Sequence, residues 1–253
     1  MVLIVLNAFL VILALALLKY FFMFVAPYLV YWKIFPEKFN RFKIQSIERQ
    51  RPQIFHEITY SLSTIFIQSL LVLSIYWGVQ KNFFHIYLGF GSEGYLKETV
   101  GYFIYFFIYD AYFYWSHRFL HIGWLYKNVH VVHHRSQNPT PFAAYSFHPI
   151  EAVINMLYFY PILYFFPMSL ELLLLLVLMT DFGNLGGHLG YDFLPKKMWN
   201  SWWGSWLTTP THHNLHHQFS SCNYGLYWRG WDEIFKTLHV RTESEFYRVK
   251  DQH

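Results

Sequence analysis

The sequence predicts an all-α integral membrane bundle of about four membrane segments, with a cytoplasmic-facing helical cap that carries clustered histidines. Three observations predict it. The chain is 55% hydrophobic, 23% aromatic and only 13% charged, far from the quarter or so of charged residues in an ordinary soluble domain. Several apolar runs reach the roughly 20 residues that a helix needs to cross a bilayer. Histidines recur in three tight groups just outside those runs. At 253 residues the chain divides into residues 1–98, membrane helices with a cytoplasmic connecting loop, and residues 99–253, the catalytic region.

Val2 to Leu18 is apolar apart from Asn7, and the run resumes after Lys19 from Tyr20 to Trp32. No basic leader or small-residue cleavage site precedes it, so an uncleaved first span is expected, with Lys19 snorkelling or packed inside. Lys33, Lys38, Arg41, Lys43, Arg49 and Arg51 follow. The positive-inside rule places that loop in the cytoplasm. Ile58 to Val79 then crosses outward to a loop, Gly89 to Gly94, and Thr99 to Trp115 crosses back. Glu151 to Phe166 and Ser169 to Asp181, separated by Pro167, are expected to form a helical hairpin that starts and ends on the cytoplasmic side. That topology keeps every histidine group in one compartment, in an endoplasmic reticulum or a bacterial inner membrane.

Trp199, Trp202, Trp203 and Trp206 fall at i, i+3, i+4 and i+7, which predicts one helical face of tryptophan. Such a face serves either as a lip in the headgroup layer through which a lipid enters or as packing for the domain's own core. The tail from Arg241 to His253 is polar and expected to be peripheral. Cys222 is the only cysteine, which excludes an internal disulfide framework and a thiolate metal cluster. The net charge of +4 comes without a long basic run, so nothing points to nucleic acid.

The histidines carry the chemistry. His117 and His121 form one group, His130, His133 and His134 a second, and His213, His216 and His217 repeat the second spacing. Residues three and four apart share a helical stripe, so each group is expected to aim its rings in one direction. Eight imidazoles, or nine with His188 in the expected Gly-rich turn Gly186 to Gly190, exceed the three or four protein ligands of a zinc site and suit two metals better than one. Imidazole accepts iron, copper, nickel or zinc, so ligand type leaves the element open. The sequence has no Glu-x-x-His, which argues against a carboxylate-bridged bundle site. His56-Glu57 is followed by Tyr60 where a zinc-protease helix needs a second histidine. Buried ligand imidazoles need acceptors for their second ring nitrogen. Asp110 and Asp181, seven residues before His117 and His188, are the expected partners, with His148 and Glu151 of Phe147-His148-Pro149-Ile150-Glu151 as further candidates. His212 points off its stripe, and His56, His85, His239 and His253 are read as ordinary.

His117-x3-His121, His130-x2-His133-His134 and His213-x2-His216-His217 together resemble the three histidine boxes of the fatty acid hydroxylase and sterol desaturase superfamily of membrane di-iron enzymes. Asn138-Pro139-Thr140-Pro141-Phe142-Ala143, Phe147-His148-Pro149, His188-Leu189-Gly190-Tyr191-Asp192, Asn223-Tyr224-Gly225 and Trp231-Asp232 extend the match from about Asp110 to Thr237. The Pro-Thr-Pro-Phe-Ala and Phe-His-Pro segments are most similar to the sterol C-5 desaturase branch. The resemblance implies two iron ions held by His117, His121, His130, His133, His134, His188, His213, His216 and His217, and O2 as co-substrate. The implied substrate is a sterol-like lipid, which is desaturated or hydroxylated. Fatty acyl, carotenoid or alkyl-glycerol hydroxylation is the alternative within the superfamily, and a His-rich metal transporter the alternative outside it. A transporter would place its ligands near the bilayer midplane, whereas these groups flank the spans. With no room for a fused haem module, electrons are expected from a separate cytochrome b5-like or ferredoxin-like carrier and its reductase. Lys196, Lys197 and Arg229 would offer an acidic carrier a basic docking face.

Overall fold

The computed structural model describes residues 2–45 and 51–251, so Arg49 of the basic loop and His253 lie outside the described residues. The first apolar run is one helix, α1 (Val2–Ile34), continuous through Ala26-Pro27 because two wide π-type turns, Phe21–Val25 and Leu29–Ile34, flank the proline and absorb the hydrogen bond that it removes. α2 (Arg51–Gln80) carries Pro52 in its first turn, where no intrahelical donor is lost. α3 spans Tyr95–Leu120. A short helical stretch, α4 (residues 123–134), follows, and then α5 (Pro149–Phe165) and α6 (Leu170–His188). The cap is built from α7 (Pro210–Phe219), α8 (Gly230–Ile234) and α9 (Thr242–Lys250).

α1, α2 and α6 are long and apolar enough to cross a membrane, and α5 is a shorter apolar helix. The outer faces of the bundle stay apolar: Leu15 is 61% and Phe103 64% exposed, as suits contact with lipid. Between the helices, Tyr109, Tyr158, Phe159, Leu163 and Leu176 form one core, and Tyr20, Phe24, Ile65, Phe142 and Tyr145 form another. Buried Tyr191 donates its hydroxyl to a backbone carbonyl, Tyr31 O, at 2.9 Å, and half-buried Tyr112 does the same to Ile154 O at 2.6 Å.

The two ends of the bundle differ. At one end β1 (Ile86–Tyr87), after α2, pairs in parallel with β2 (Met168–Ser169), between α5 and α6. At the other end lie the last residues of α3 and α6, which are histidines or next to them. α5 and α6 therefore turn back on each other as a hairpin, and both of their histidine-side ends lie opposite the small sheet. The segment after α1 joins this same end, since Asp192 N donates to Phe42 O at 2.8 Å and Ile44 N to Gly190 O at 3.1 Å.

Three expectations are corrected. The tryptophans share no helix: residues Lys196–Trp199 make a single turn, and the chain then bends so tightly that a Cβ on Gly204 would sit 1.9 Å from Met198 O. Trp199 is buried against Phe246, while Trp202 is 84% exposed and Trp206 stacks on Trp228. His188 is the last residue of α6, whose helix runs through Gly186 and Gly187. The tail packs: Phe246 and Val249 are fully buried, and Lys250 Nζ lies 2.8 Å from Asp192 Oδ1. Two of the three residues of the expected basic face have local acidic partners, Lys196 with Asp251 and Arg229 Nη2 with Glu233 Oε1 at 2.7 Å, and Lys197 is exposed.

Candidate metal centre

Nine imidazoles meet at the end of the bundle remote from the small sheet, in two groups. His117, His121, His130, His134 and His216 form one, and His133, His188, His213 and His217 the other. Within each, one nitrogen per ring lies within 4.8 Å of all the others. The helical spacing distributes them differently from the expectation that each motif points one way. Residues four apart, His117 with His121, His130 with His134 and His213 with His217, share a group. Chain neighbours His133 and His134, and His216 and His217, are split between the two, because successive side chains on a helix diverge by about 100°. Each His-His pair thus stitches the groups together, and His134 and His217 stand 5.0 Å apart by ring centroid.

The four-histidine group has the geometry of a coordination shell. His188 Nε2 is 3.3 Å from His133 Nε2 and 3.1 Å from both His213 Nε2 and His217 Nε2. Imidazoles bonded to one metal at about 2.1 Å place neighbouring nitrogens about 3.0 to 3.4 Å apart. In the five-histidine group His134 Nε2 and His130 Nε2 are 3.1 Å apart, and the buried Nε2 atoms of His121 and His216 have no hydrogen-bond partner among the described residues. Burial first, then neighbouring imidazoles, hold His121, His130, His133, His134, His213, His216 and His217 below the ordinary histidine range. The rings are neutral, each with a lone pair to offer. An all-nitrogen set of five and four fits two transition-metal ions.

The outer nitrogens are fixed by a second layer. His117 Nδ1 faces Tyr224 O at 2.9 Å, His188 Nδ1 faces Asn184 O at 2.7 Å and His216 Nδ1 faces Cys222 O at 2.6 Å. His130 Nδ1 lies 2.8 Å from Glu151 Oε1, and His134 Nδ1 lies 3.1 Å from Ser220 Oγ. Of the four expected partners, the structure brings only Glu151 to a clustered ring. Asp110 accepts from Tyr227 N at 3.0 Å and Trp231 Nε1 at 2.9 Å. Asp181 accepts from the Tyr145 hydroxyl at 2.7 Å and faces Lys19 Nζ at 2.8 Å. Both are tied elsewhere because seven residues of helix are about 10 Å of rise, beyond hydrogen-bond reach. His148 caps α5, its Nδ1 accepting from Ile150 N at 3.2 Å.

Asp232 was not singled out by sequence reasoning, yet it shapes the loop that supplies two of those carbonyls. Its carboxylate accepts from Tyr224 N at 2.8 Å, Gly225 N at 2.9 Å and Thr237 Oγ1 at 2.7 Å, and meets His212 Nε2 at 3.2 Å. Burial pushes its carboxyl upward, but the His212 contact and these hydrogen bonds outweigh it and hold it below the usual carboxylate range. Its appearance in Trp231-Asp232 was the available signal. Asp192 does similar work at the start of α7, accepting from Thr211 Oγ1 at 2.7 Å. Thr209 caps that helix, taking His212 N at 3.0 Å.

Beside the two histidine groups, an apolar cavity of about 520 Å³ runs between α1, α2, α3, α5 and α6. Phe147 on its wall packs against His133, and Phe113 against His117, with ring centroids 5.1 and 5.2 Å apart.

Residues 102–237, more than half of the chain, match the family model described as fatty acid hydroxylase, and that stretch contains all nine clustered histidines. A Delta(7)-sterol 5(6)-desaturase of Gibberella zeae is 30% identical over 175 residues, 69% of this chain and 53% of that protein. The lathosterol oxidase of Homo sapiens is 28% identical over 184 residues, 72% of this chain and 60% of that one. A C-4 methylsterol oxidase of Schizosaccharomyces pombe is 32% identical over 139 residues, 53% of this chain and 45% of that one. The chain thus spans roughly half to three fifths of the length of these relatives. No solved structure matches it.

Proposed function

Since the chain belongs to the fatty acid hydroxylase family, we propose that it is a membrane oxidoreductase that uses O2 to desaturate or hydroxylate a sterol-like lipid. The observation that carries the reading is the juxtaposition of two histidine groups with an apolar cavity of ligand size. The relatives' names, sterol desaturases and sterol oxidases, favour a sterol over a simple acyl chain.

His117, His121, His130, His134 and His216 would hold one iron, and His133, His188, His213 and His217 the other. Bound iron supplies the activation of O2 that an unactivated C–H bond requires. The protein's part is to hold neutral rings in place through Glu151, Ser220 and the carbonyls of Asn184, Cys222 and Tyr224. Phe113 and Phe147 border the reacting centre and exclude water from it, so that the lipid is the group oxidised. In the balance, removing two hydrogens with O2, two electrons and two protons yields an alkene and two waters. Inserting one oxygen atom with the same reductant yields an alcohol and one water. The electrons come from a separate carrier and reductase. The centre lies in the cytoplasm, because the segment bearing Lys33, Lys38 and Arg41 joins the histidine end of the bundle.

Lipid profiles of cells with and without the gene, and with His133→Ala, test the assignment. An oxidised sterol is expected only with the unaltered gene. A product that persists with His133→Ala overturns the chemistry.

A further inference from the structure

A charged cluster sits where an apolar cavity gives no reason for one. Lys19 from α1 and Asp181 from α6 face each other at 2.8 Å. The Tyr145 hydroxyl closes the triangle, donating to Asp181 Oδ1 at 2.7 Å and accepting from Lys19 Nζ at 2.8 Å. All three line the cavity. Asp181 is 1% exposed, and both charges lie in helices long and apolar enough to span a membrane. Ion pairs in such places are costly, and replacing them with apolar side chains is often neutral for stability. A structural role is therefore a weak reason for them.

The cluster also has unused bonding capacity. An ammonium group offers three donors, and Lys19 directs two, to Tyr145 and Asp181. Asp181 Oδ2 is buried and takes no hydrogen bond among the described residues beyond its contact with the Lys19 charge. One donor and one acceptor at a single point are what an alcohol needs, since its oxygen accepts and its proton donates.

Position supplies the rest. The cavity follows α6 from Leu170 to Asn184, about 21 Å of helix. Its far end touches Ile86 in the small sheet, and its near end touches Asn184, whose carbonyl holds His188. Asp181 is one turn from Asn184, so the polar cluster lies at the histidine end.

We infer that Lys19, Asp181 and Tyr145 anchor the hydroxyl of an amphipathic lipid alcohol, so that the substrate is oxidised close to its hydroxyl-bearing end while its apolar tail runs toward Ile86 and Leu170. This deepens the sterol reading proposed above and rests on it for the identity of the lipid alone. It sets the chain apart from an enzyme that oxidises a remote chain terminus.

The test is equilibrium binding of tritiated ligands to the full chain in nanodiscs, without turnover. A Δ7-sterol is compared with its 3-O-methyl ether, and hexadecanol with its methyl ether. The free sterol is expected to bind at least about tenfold more tightly than its ether, roughly the worth of one charge-assisted hydrogen bond. In Lys19→Met/Asp181→Leu, which removes both charges together, the preference is expected to vanish with iron content unchanged. Tyr145→Phe, a milder change, narrows it and serves if the double variant does not fold. Equal affinity for alcohol and ether in the unaltered protein, or a preference that survives both variants, overturns the anchor. Preference for hexadecanol over its ether with no sterol binding keeps the anchor and overturns the sterol assignment.

Discussion

His133 and His134 are joined by a peptide bond yet serve different histidine groups, and this division makes single substitutions informative. His133→Ala leaves three rings in its group, and iron content is expected to fall by about half, since one of two sites loses one of its four rings. His148→Ala removes a helix cap and no clustered ring, so iron content should not change. Among the described residues Glu151 is the one carboxylate found against a clustered imidazole, at His130 Nδ1. Glu151→Leu is expected to weaken iron binding about 10- to 100-fold, the usual effect of losing an outer partner, whereas Glu151→Gln keeps an acceptor and loses less. Titration of iron into the apo variants separates the two. The depressed protonation of the clustered rings fixes a pH dependence for the metal-free protein. The unfolded chain binds protons near pH 6.5 while the folded rings stay neutral, so unfolding free energy rises with pH through that region. Thermal melts of chelator-treated protein should show lower stability as pH falls from about 7 to about 5. Melting that is flat or improves with acid would contradict it.

At the level of elements, the contact of α6 with α7 depends on a glycine. A Cβ on Gly187 would stand 2.8 Å from His213 Cδ2, so Gly187→Ala must displace a ring of the four-histidine group. Iron retention is expected to fall, while the far helices keep their helicity by circular dichroism. Intact iron binding in that variant would mean that the two helices separate freely. The sequence showed the nine histidines and the apolar runs because both depend on side-chain type and period, which are written residue by residue. It could not show Tyr224, Cys222 and Asn184 as ring partners, because they act through carbonyl groups that every residue possesses. Asp110 and Asp181 were misplaced by a shared helical face, which aligns residues two turns apart without bringing them within reach. The tryptophan spacing failed for a local reason, the sharp bend at Gly204. Glu151 was legible because it stands two residues after the Phe-His-Pro segment, and Asp232 passed unnoticed because two of its four partners are backbone N–H groups and none is a clustered ring.

Across the whole molecule, the polar chemistry is gathered at one end and the opposite end is closed by two short strands. A hairpin of α5 and α6 is the device that permits this, since β1 meets β2 only if the turn after α2 and the turn between α5 and α6 lie together. The loop after α1 belongs to the histidine end, where Gln45 Nε2 donates to Asn214 Oδ1 at 2.6 Å. Lys38 and Ser92, both exposed, lie at opposite ends of the bundle and are expected to report on opposite sides of the bilayer. The native thiol will not interfere, because Cys222 is buried and burial pushes it up to about 12, leaving almost no thiolate to react. In sealed vesicles with the cytoplasmic face outward, a membrane-impermeant maleimide should modify Lys38→Cys and spare Ser92→Cys until detergent is added. If Ser92→Cys is modified first, the bundle is inverted and the histidine end faces away from any cytoplasmic electron carrier. If both are modified alike in sealed vesicles, the helices do not span the membrane and lie in one leaflet, with the cavity reached from that leaflet alone.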